Sequence, residues 1–393
     1  MENNLAINET LQVLPITTQH FGVMNGIMEC DSRFFIEETE TEVEEVQILS
    51  LNNHQIGSLG AAALASSVTW TRLTQLHLIS NNIGDEGATL LAQNRTWISL
   101  EMLFLADNNI GPVGAAKLSM NTSWENLTIL SLSHNKLGDE GVEKLAENAS
   151  WKNLQTLELV ANEIGAIGAA KLAQNETWTQ LKELDLAQNQ IGEAGALELA
   201  KNESWKGLEM LNLSANRITD IAAGCLATNE TWTKLKFLNL QQNVIQDAGL
   251  IAIATNNIWS QLKVLYLSMN LVGDEGVGYM AANNCWKELE ELDLSYNNIG
   301  DAGIEKLAEN VNWAKLNVLT LTGNSIEAQG VVHLAKNTSW LNLEVLELAD
   351  VVVNDETVLN LVSNKNWQKL EFIELCEDGL ADSTQDLLYG LRN

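Results

Sequence analysis

The sequence predicts an α/β solenoid of about thirteen stacked 27-residue units, and two observations carry this prediction. The first is register, because the pattern L-x-x-L-x-L-x-x-N-x-I returns at a fixed spacing without an insertion, as in solenoid proteins. The second is a change of period inside each unit, from the alternation of a strand to the spacing of a helix. The units begin at residues 46, 73, 100, 127, 154, 181, 208, 235, 262, 289, 316, 343 and 370.

Each unit reads as a strand, a turn and a helix. Residues 181–186 alternate apolar and polar side chains, and residues 189–192 (NQIG) have turn composition. Residues 85–93 place acids at the start of an apolar-faced helix, where its positive end favours them. The helical stretch closes with an asparagine, such as Asn94 or Asn175, for which we expect a left-handed backbone.

The consensus LxxLxLxxNxIGxxGxxxLAxN resembles the leucine-rich repeat family, in its ribonuclease-inhibitor-like subtype. That subtype includes ribonuclease inhibitor, the GTPase activator for Ran and the sensor region of NOD-like receptors. The resemblance implies a right-handed horseshoe with parallel strands on the concave face and helices on the convex face. Packing geometry agrees, because strands lie about 4.8 Å apart whereas helices are about 10 Å wide.

All twelve tryptophans occupy one position, three residues before the first leucine of a unit. A binding tryptophan would break this period, so we expect a buried ladder in which each ring packs on the next. Ribonuclease-inhibitor-like repeats do not generally place tryptophan there, and the chain therefore looks like a variant of the subtype. The positions are Trp70, Trp97, Trp124, Trp151, Trp178, Trp205, Trp232, Trp259, Trp286, Trp313, Trp340 and Trp367.

Asparagine forms a second column, just after each strand. The resemblance implies that its side chain is buried and bonds neighbouring turns, since a buried irregular backbone needs partners. His54 replaces it in the first unit, and Val351 and Asp378 replace it in the last two, where capping units differ. The column comprises Asn81, Asn108, Asn135, Asn162, Asn189, Asn216, Asn243, Asn270, Asn297 and Asn324.

Glycine forms a third column, which we expect to allow close helix-to-strand packing. The seventh unit has Ala222 in this column and Thr219 where glycine is usual, so we expect its helix to be displaced. The column comprises the glycines at 60, 87, 114, 141, 168, 195, 249, 276, 303 and 330.

Three segments are expected: an N-terminal cap at 1–45, the leucine-rich repeat solenoid at 46–382 and a C-terminal capping helix at 383–393. The first contains the acidic run 37–42 and the apolar group Phe34, Phe35 and Ile36. Capping covers the exposed face of the first unit. A tail read by a transport machine, or an arm that binds a partner, is the alternative for this segment.

The charge balance favours a protein partner, possibly basic. The chain has 52 acidic and 22 basic residues, a net charge of −30, which disfavours nucleic acid and anionic membranes. Four unpaired-looking cysteines indicate a reducing compartment. No Sec-type signal peptide or long apolar run is seen, so we expect a cytoplasmic protein or one delivered into a host cell, with a monomer favoured.

The sequence gives little support for catalysis. The five histidines are dispersed without metal-ligand spacing, and two that could face the concavity, His77 and His134, are two units apart. No phosphate-binding loop occurs, so we expect no metal, no cofactor and no enzyme. The periodic Asn-x-Ser/Thr triplets, such as 175–177, are better explained as helix ends than as glycosylation sites.

Candidate binding residues are those that do not repeat. The fifth position of each strand motif varies between units, and this variation suggests recognition. Exposed apolar groups there and in the adjacent turns form a predicted partner site with an acidic rim. The apolar members are Phe237, Val264, Tyr266, Met269, Leu271 and Tyr296, and the acids are Glu158, Glu163, Asp185, Asp293, Glu347, Asp350 and Glu374.

The leading hypothesis is a non-enzymatic scaffold that binds a protein partner on its concave face. One alternative is a regulator of an enzyme, either inhibitor-like or similar to the Ran GTPase activator, with Arg217 as the residue to test. Another is a secreted bacterial effector that acts by binding a host protein.

Overall fold

A computed structural model of the chain describes residues 21–24, 27–30, 46–68 and 70–391. Its strands form one sheet in which every strand neighbours the next along the chain. The first two strands pair antiparallel, and all later pairs are parallel. Strands and helices alternate from residue 48 onward, so the predicted α/β solenoid is confirmed.

The strands are short, and most span three residues. They are β1 Phe21–Met24, β2 Ile27–Cys30, β3 Ile48–Ser50, β4 Gln75–His77, β5 Met102–Phe104, β6 Ile129–Ser131, β7 Thr156–Glu158, β8 Glu183–Asp185, β9 Met210–Asn212, β10 Phe237–Asn239, β11 Val264–Tyr266, β12 Glu291–Asp293, β13 Val318–Thr320, β14 Val345–Val352 and β15 Phe372–Cys376.

The helices are also short, and most span eight residues. They are α1 Gly57–Ser66, α2 Gly84–Leu91, α3 Pro112–Ser119, α4 Gly138–Ala146, α5 Ala166–Ala173, α6 Gly192–Leu199, α7 Asp220–Ala227, α8 Asp247–Ala254, α9 Asp274–Ala281, α10 Asp301–Ala308, α11 Ala328–Leu334, α12 Asp355–Val362 and α13 Asp382–Leu391.

The strand register follows the sequence period. Leu184 pairs with Leu211, and the flanking residues pair at the same 27-residue spacing. The central residue of each three-residue strand from β3 to β13 is buried against the helices, whereas the residues beside it are mostly half-buried. The helix-facing leucines thus form one continuous core, and the flanking side chains face the concave side.

The tryptophans are buried, as predicted. Trp178 has no exposed surface, and its backbone N–H donates to Asn175 Oδ1 at 2.8 Å. The expected ring-on-ring ladder is wrong for most of the column. Among the described tryptophans, one consecutive pair stacks, Trp340 on Trp367, with ring centroids 6.2 Å apart and planes 10° apart. The other rings are held by the surrounding core and by the backbone bond at each turn.

The post-strand asparagines form the predicted ladder. Asn189 Oδ1 accepts from the backbone N–H groups of Asn162 at 2.9 Å and Ile164 at 3.0 Å. Its Nδ2 donates to the carbonyls of Leu159 and Leu186, both at 2.9 Å. One amide side chain therefore satisfies buried backbone groups in two neighbouring units.

The helix-ending asparagines form a second ladder that the sequence analysis interpreted incorrectly. Asn94 is not in the left-handed region. Instead, its Oδ1 accepts from Trp97 N at 3.1 Å and its Nδ2 donates to the Ala65 and Ser67 carbonyls. Asn175 does the same with Trp178 and Ala146. Because these amides are buried and fully bonded, the helix-end interpretation of the triplets is correct.

The helices start in two ways, and a side chain 26 residues earlier selects between them. Asp139 Oδ1 accepts from Gly165 N at 2.7 Å, and Gly165 is extended with φ −98°. Where that earlier residue is Pro112, Gly138 is left-handed with φ +57°. Its N–H then donates to the Asn162 carbonyl at 3.0 Å. Each start satisfies its backbone from the adjacent unit.

The seventh helix is not displaced, contrary to expectation. Helix α7 begins 54 residues after α5 and 27 before α8, at the same point of the unit. Thr219 caps it by accepting from Ala222 N at 3.4 Å and donates to Glu193 Oε2 at 2.5 Å. Threonine therefore replaces the usual glycine without moving the helix.

The two ends of the solenoid keep their assignments as proposals. Strand β2 pairs with β3 and extends the sheet at its first edge. Phe34, Phe35, Ile36 and the acidic run 37–42 lie outside the described residues. At the other end α13 packs against β15, and its first backbone N–H groups face Asp355, whose Oδ1 accepts from Ala381 N at 2.9 Å.

Candidate functional site

The predicted apolar members divide between two adjacent rows of the concave side. Phe237, Val264 and Tyr266 lie on neighbouring strands, with Phe237 paired to Val264 in register. The Phe237 and Tyr266 rings meet edge to face, with centroids 5.4 Å apart and an interplanar angle of 83°. This contact fixes the Tyr266 ring beside the next strand.

Met269, Leu271 and Tyr296 lie in the turns that follow the strands. They are 44%, 48% and 51% exposed, which is high for large apolar side chains. Met269 and Tyr296 occupy equivalent positions one unit apart, and both have φ +53°. We call the six residues Phe237, Val264, Tyr266, Met269, Leu271 and Tyr296 the apolar patch.

A concavity adjoins the apolar patch, with a volume of about 490 Å³. We call it the basin. Its walls include two tyrosines of the patch and four carboxylates from strands β12, β14 and β15. Smaller residues, such as Thr320 and Ala349, form its floor and turn side. The tyrosines and acids are Tyr266, Tyr296, Glu291, Asp293, Glu347 and Glu374.

Tyr266 is tied to the acidic wall of the basin. Its hydroxyl donates to Glu291 Oε2 at 2.7 Å. Burial raises the pKa of Tyr266 well above its ordinary value, and the bond to Glu291 and the nearby Asp293 charge raise it further. The phenol therefore remains neutral at physiological pH and keeps donating its proton to the carboxylate.

Asp293 is also held in place. Its Oδ1 accepts from the backbone N–H of Ser295 at 2.9 Å and from the Ser295 hydroxyl at 2.5 Å. Glu347 and Glu374 are opposite each other on β14 and β15. The lining of the basin contains no lysine, arginine or histidine, so its four carboxylates face one another without a cation.

The predicted acids do not form one group. Asp293, Glu347 and Glu374 line the basin, whereas Glu158 and Asp185 are neighbours on β7 and β8. Strands β9 and β10 separate this second pair from the apolar patch. Burial raises the pKa of Asp185, although bonds from Ala187 N and the Asn212 side chain oppose the shift.

Glu163 and Arg217 lie in other turns. Both are left-handed with φ +59°, and both are outside the basin lining. Asp350 lies in the irregular part of β14, where the register with β15 shifts.

The histidine pair is not a metal site. His77 stacks on Phe104, with ring centroids 4.5 Å apart, and burial lowers its pKa. His134 is in a turn two units away. Within the part of the chain that the structure describes, no three His, Cys, Asp or Glu side chains converge as metal ligands would.

Sequence reasoning missed Glu291, which lies at the third position of its strand motif. Positions three and five both flank the buried central leucine, and both therefore face the concave side. A search of both positions would have found Glu291. The His77–Phe104 stack was missed for a related reason, since it joins fifth positions of adjacent strands, whose register makes them neighbours.

Comparison with protein families gives the same periodic unit. Seven segments match the family described as Leucine Rich repeat, at residues 71–92, 98–119, 125–146, 152–173, 179–200, 233–254 and 288–308. The chain is a leucine-rich repeat protein. A search of curated proteins gave no match.

Several solved structures are similar to this leucine-rich repeat chain. An internalin, inlF, from Listeria monocytogenes is 22% identical over 84% of this chain and 80% of its own, with a TM-score of 0.54. The complex of Rad7 and Elc1 from yeast gives 17%, 77% and 76%, with a TM-score of 0.51. The receptor kinase ectodomain GASSHO1/SCHENGEN3 from Arabidopsis thaliana gives 20%, 84% and 36%, with a TM-score of 0.47. At these identities the likeness shows the fold alone.

The repeat helices are short. Within residues 21–24, 27–30, 46–68 and 70–391, none has the length and apolar content that a transmembrane helix requires.

Proposed function

We propose that this leucine-rich repeat protein is a non-enzymatic scaffold that binds a protein partner of basic character on its concave face. The observation that carries the proposal is the apolar patch beside the basin, where exposed aromatic and aliphatic side chains adjoin carboxylates without cations. Aromatic anchors within a polar rim are typical of protein interfaces. The net charge of −30 favours the approach of a basic partner.

Two further findings support the proposal. One of the similar structures is a complex of two proteins, Rad7 and Elc1. The subtype we propose is ribonuclease-inhibitor-like, because the units have 27 residues and most contain an eight-residue helix. Cys225, Cys285 and Cys376 are free thiols, which is consistent with the proposed reducing compartment.

The test compares two double variants in capture from a cell lysate. Tyr266→Ala/Met269→Ala removes one tyrosine and one methionine from the apolar patch. The control Tyr279→Ala/Met120→Ala removes the same residue types from exposed helix positions, which are 53% and 59% exposed. We expect the first variant to lose a captured protein that the second retains. Equal capture by both variants would place the contact elsewhere.

A salt series tests the basic character of the partner. Raising the ionic strength screens contacts between exposed charges over about 10 Å or less. We therefore expect capture by the unaltered chain to fall as salt rises. Capture that is independent of salt contradicts a partner recruited by charge.

A further inference from the structure

The basin differs from the other acidic surfaces of the C-terminal units in its charge pairing. Outside it, Lys263 Nζ lies 2.6 Å from Glu290 Oε1, and Lys315 pairs with Glu288. Inside it, Glu347 and Glu374 are adjacent on parallel strands, and neither forms an ion pair with a described residue. Like charges on neighbouring strands repel, so a cation placed between them is favoured.

The two tyrosines add a second feature that favours a cation. The Tyr266 ring is fixed by Phe237 and by its bond to Glu291. The Tyr296 ring lies directly on Gly323, since a Cβ on that glycine would come within 2.4 Å of Tyr296 Cδ1. Both rings line the basin, and aromatic faces attract a nearby cation.

The backbone at the turn gives an independent observation. Tyr296 and Met269 hold φ +53°, a conformation that favours glycine or asparagine and is unfavourable for large side chains. In the eight preceding units the same position holds smaller or polar residues: Asn53, Ser80, Asp107, His134, Ala161, Gln188, Ala215 and Gln242. The fold thus disfavours a tyrosine at 296, and exposure leaves its ring available to a ligand.

We propose that the basin binds an arginine side chain from an exposed segment of the partner protein. A planar guanidinium stacks on a tyrosine face and donates in parallel to carboxylates, whereas an ammonium acts as a point charge. The carboxylates of Glu347 and Glu374 receive the donor edge, and Tyr296 covers the plane. The volume of about 490 Å³ accommodates one long side chain together with flanking backbone. This inference rests on the proposed scaffold role and names the chemistry of its anchor.

The probes are fluorescein-labelled peptides of alternating glycine and arginine, with lysine or citrulline replacing arginine in matched peptides. Citrulline keeps the shape of arginine and removes its charge. We expect the full chain to bind the arginine peptide about tenfold more tightly than the citrulline peptide, and also more tightly than the lysine peptide. Equal binding of citrulline overturns the role of the charge, and equal binding of lysine overturns the choice of arginine.

Variants locate the binding. Glu347→Gln/Glu374→Gln and, separately, Tyr296→Ala are each expected to weaken arginine-peptide binding about tenfold. The control Glu86→Gln/Glu140→Gln removes two exposed charges from helices α2 and α4 and should change it by less than about twofold. Circular dichroism verifies that each variant is folded. Equal weakening by the control means that only net charge matters and overturns the basin as the site.

The outcome separates this inference from the scaffold role. If the arginine peptide does not bind while Tyr266→Ala/Met269→Ala still loses the captured protein, the anchor is wrong and the scaffold role stands. If the peptide binds at the basin and lysate capture is indifferent to the patch, the anchor stands and the patch fails as the partner surface.

Discussion

The buried columns and the exposed turn row make opposite demands on the sequence, although they lie side by side. Asn270 belongs to a buried column, where its Nδ2 donates to the carbonyls of Leu240 and Leu267. Met269, the preceding residue, is 44% exposed and left-handed. The same amide recurs in ten consecutive units at the first position, whereas the second position ranges from glycine to tyrosine.

This difference identifies where the solenoid gives information about binding. A residue repeated in every unit is explained by the unit itself, because each unit presents the same buried environment to its neighbours. A large side chain at a left-handed turn position is not explained in this way, since the backbone there favours small residues. The turn row of units nine and ten therefore indicates recognition more strongly than any buried residue does.

The largest effect is expected from the tryptophan column. Trp178→Ala should reduce the free energy of unfolding by about 3–5 kcal/mol, the usual loss for a large buried aromatic side chain. Trp178→Phe should lose much less, because the indole N–H has no hydrogen-bond partner among the described residues and the phenyl ring fills most of the space. Urea unfolding measures both. A Trp178→Phe loss as large as that of Trp178→Ala would contradict a packing role.

A smaller effect is expected where one unit caps the helix of the next. Asp139 accepts from two backbone N–H groups, those of Gly165 at 2.7 Å and Gly168 at 2.8 Å. Asp139→Ala should cost about 1–2 kcal/mol, as the loss of a helix cap does. The neighbouring Glu140→Ala removes the same charge without these bonds and should cost less. Comparable losses in urea unfolding would show that charge near the helix, and not capping, is responsible.

The buried part of the fold could be predicted because its spacing is constant. The leucine, tryptophan and post-strand asparagine columns each recur at 27 residues, and the strand register repeats that number. The left-handed expectation for Asn94 failed because its side chain, and not its backbone, satisfies the helix end. A general preference of asparagine cannot separate these two roles, since both suit a buried turn.

The site could be predicted only in part. The variable positions gave Tyr266, Asp293 and Glu347, which the structure brings together in one basin. They also gave Glu158 and Asp185, which strands β9 and β10 separate from it. Sequence variation identifies the exposed positions of a repeat, but the distance along the solenoid decides which of them can contact one ligand.

The smallest effect has the opposite sign and tests the turn row itself. Tyr296→Gly should raise the free energy of unfolding by up to about 1 kcal/mol, because glycine adopts the left-handed backbone without strain and this gain exceeds its larger loss of chain entropy. The variant should nevertheless lose binding of the arginine peptide. Gln188→Gly is the matched control: it relieves the same backbone position, φ +56°, in a unit away from the basin. It should gain similar stability and keep peptide binding. If Tyr296→Gly instead lowers stability in urea unfolding, the ring on Gly323 contributes to packing, and the turn row at unit ten belongs with the framework.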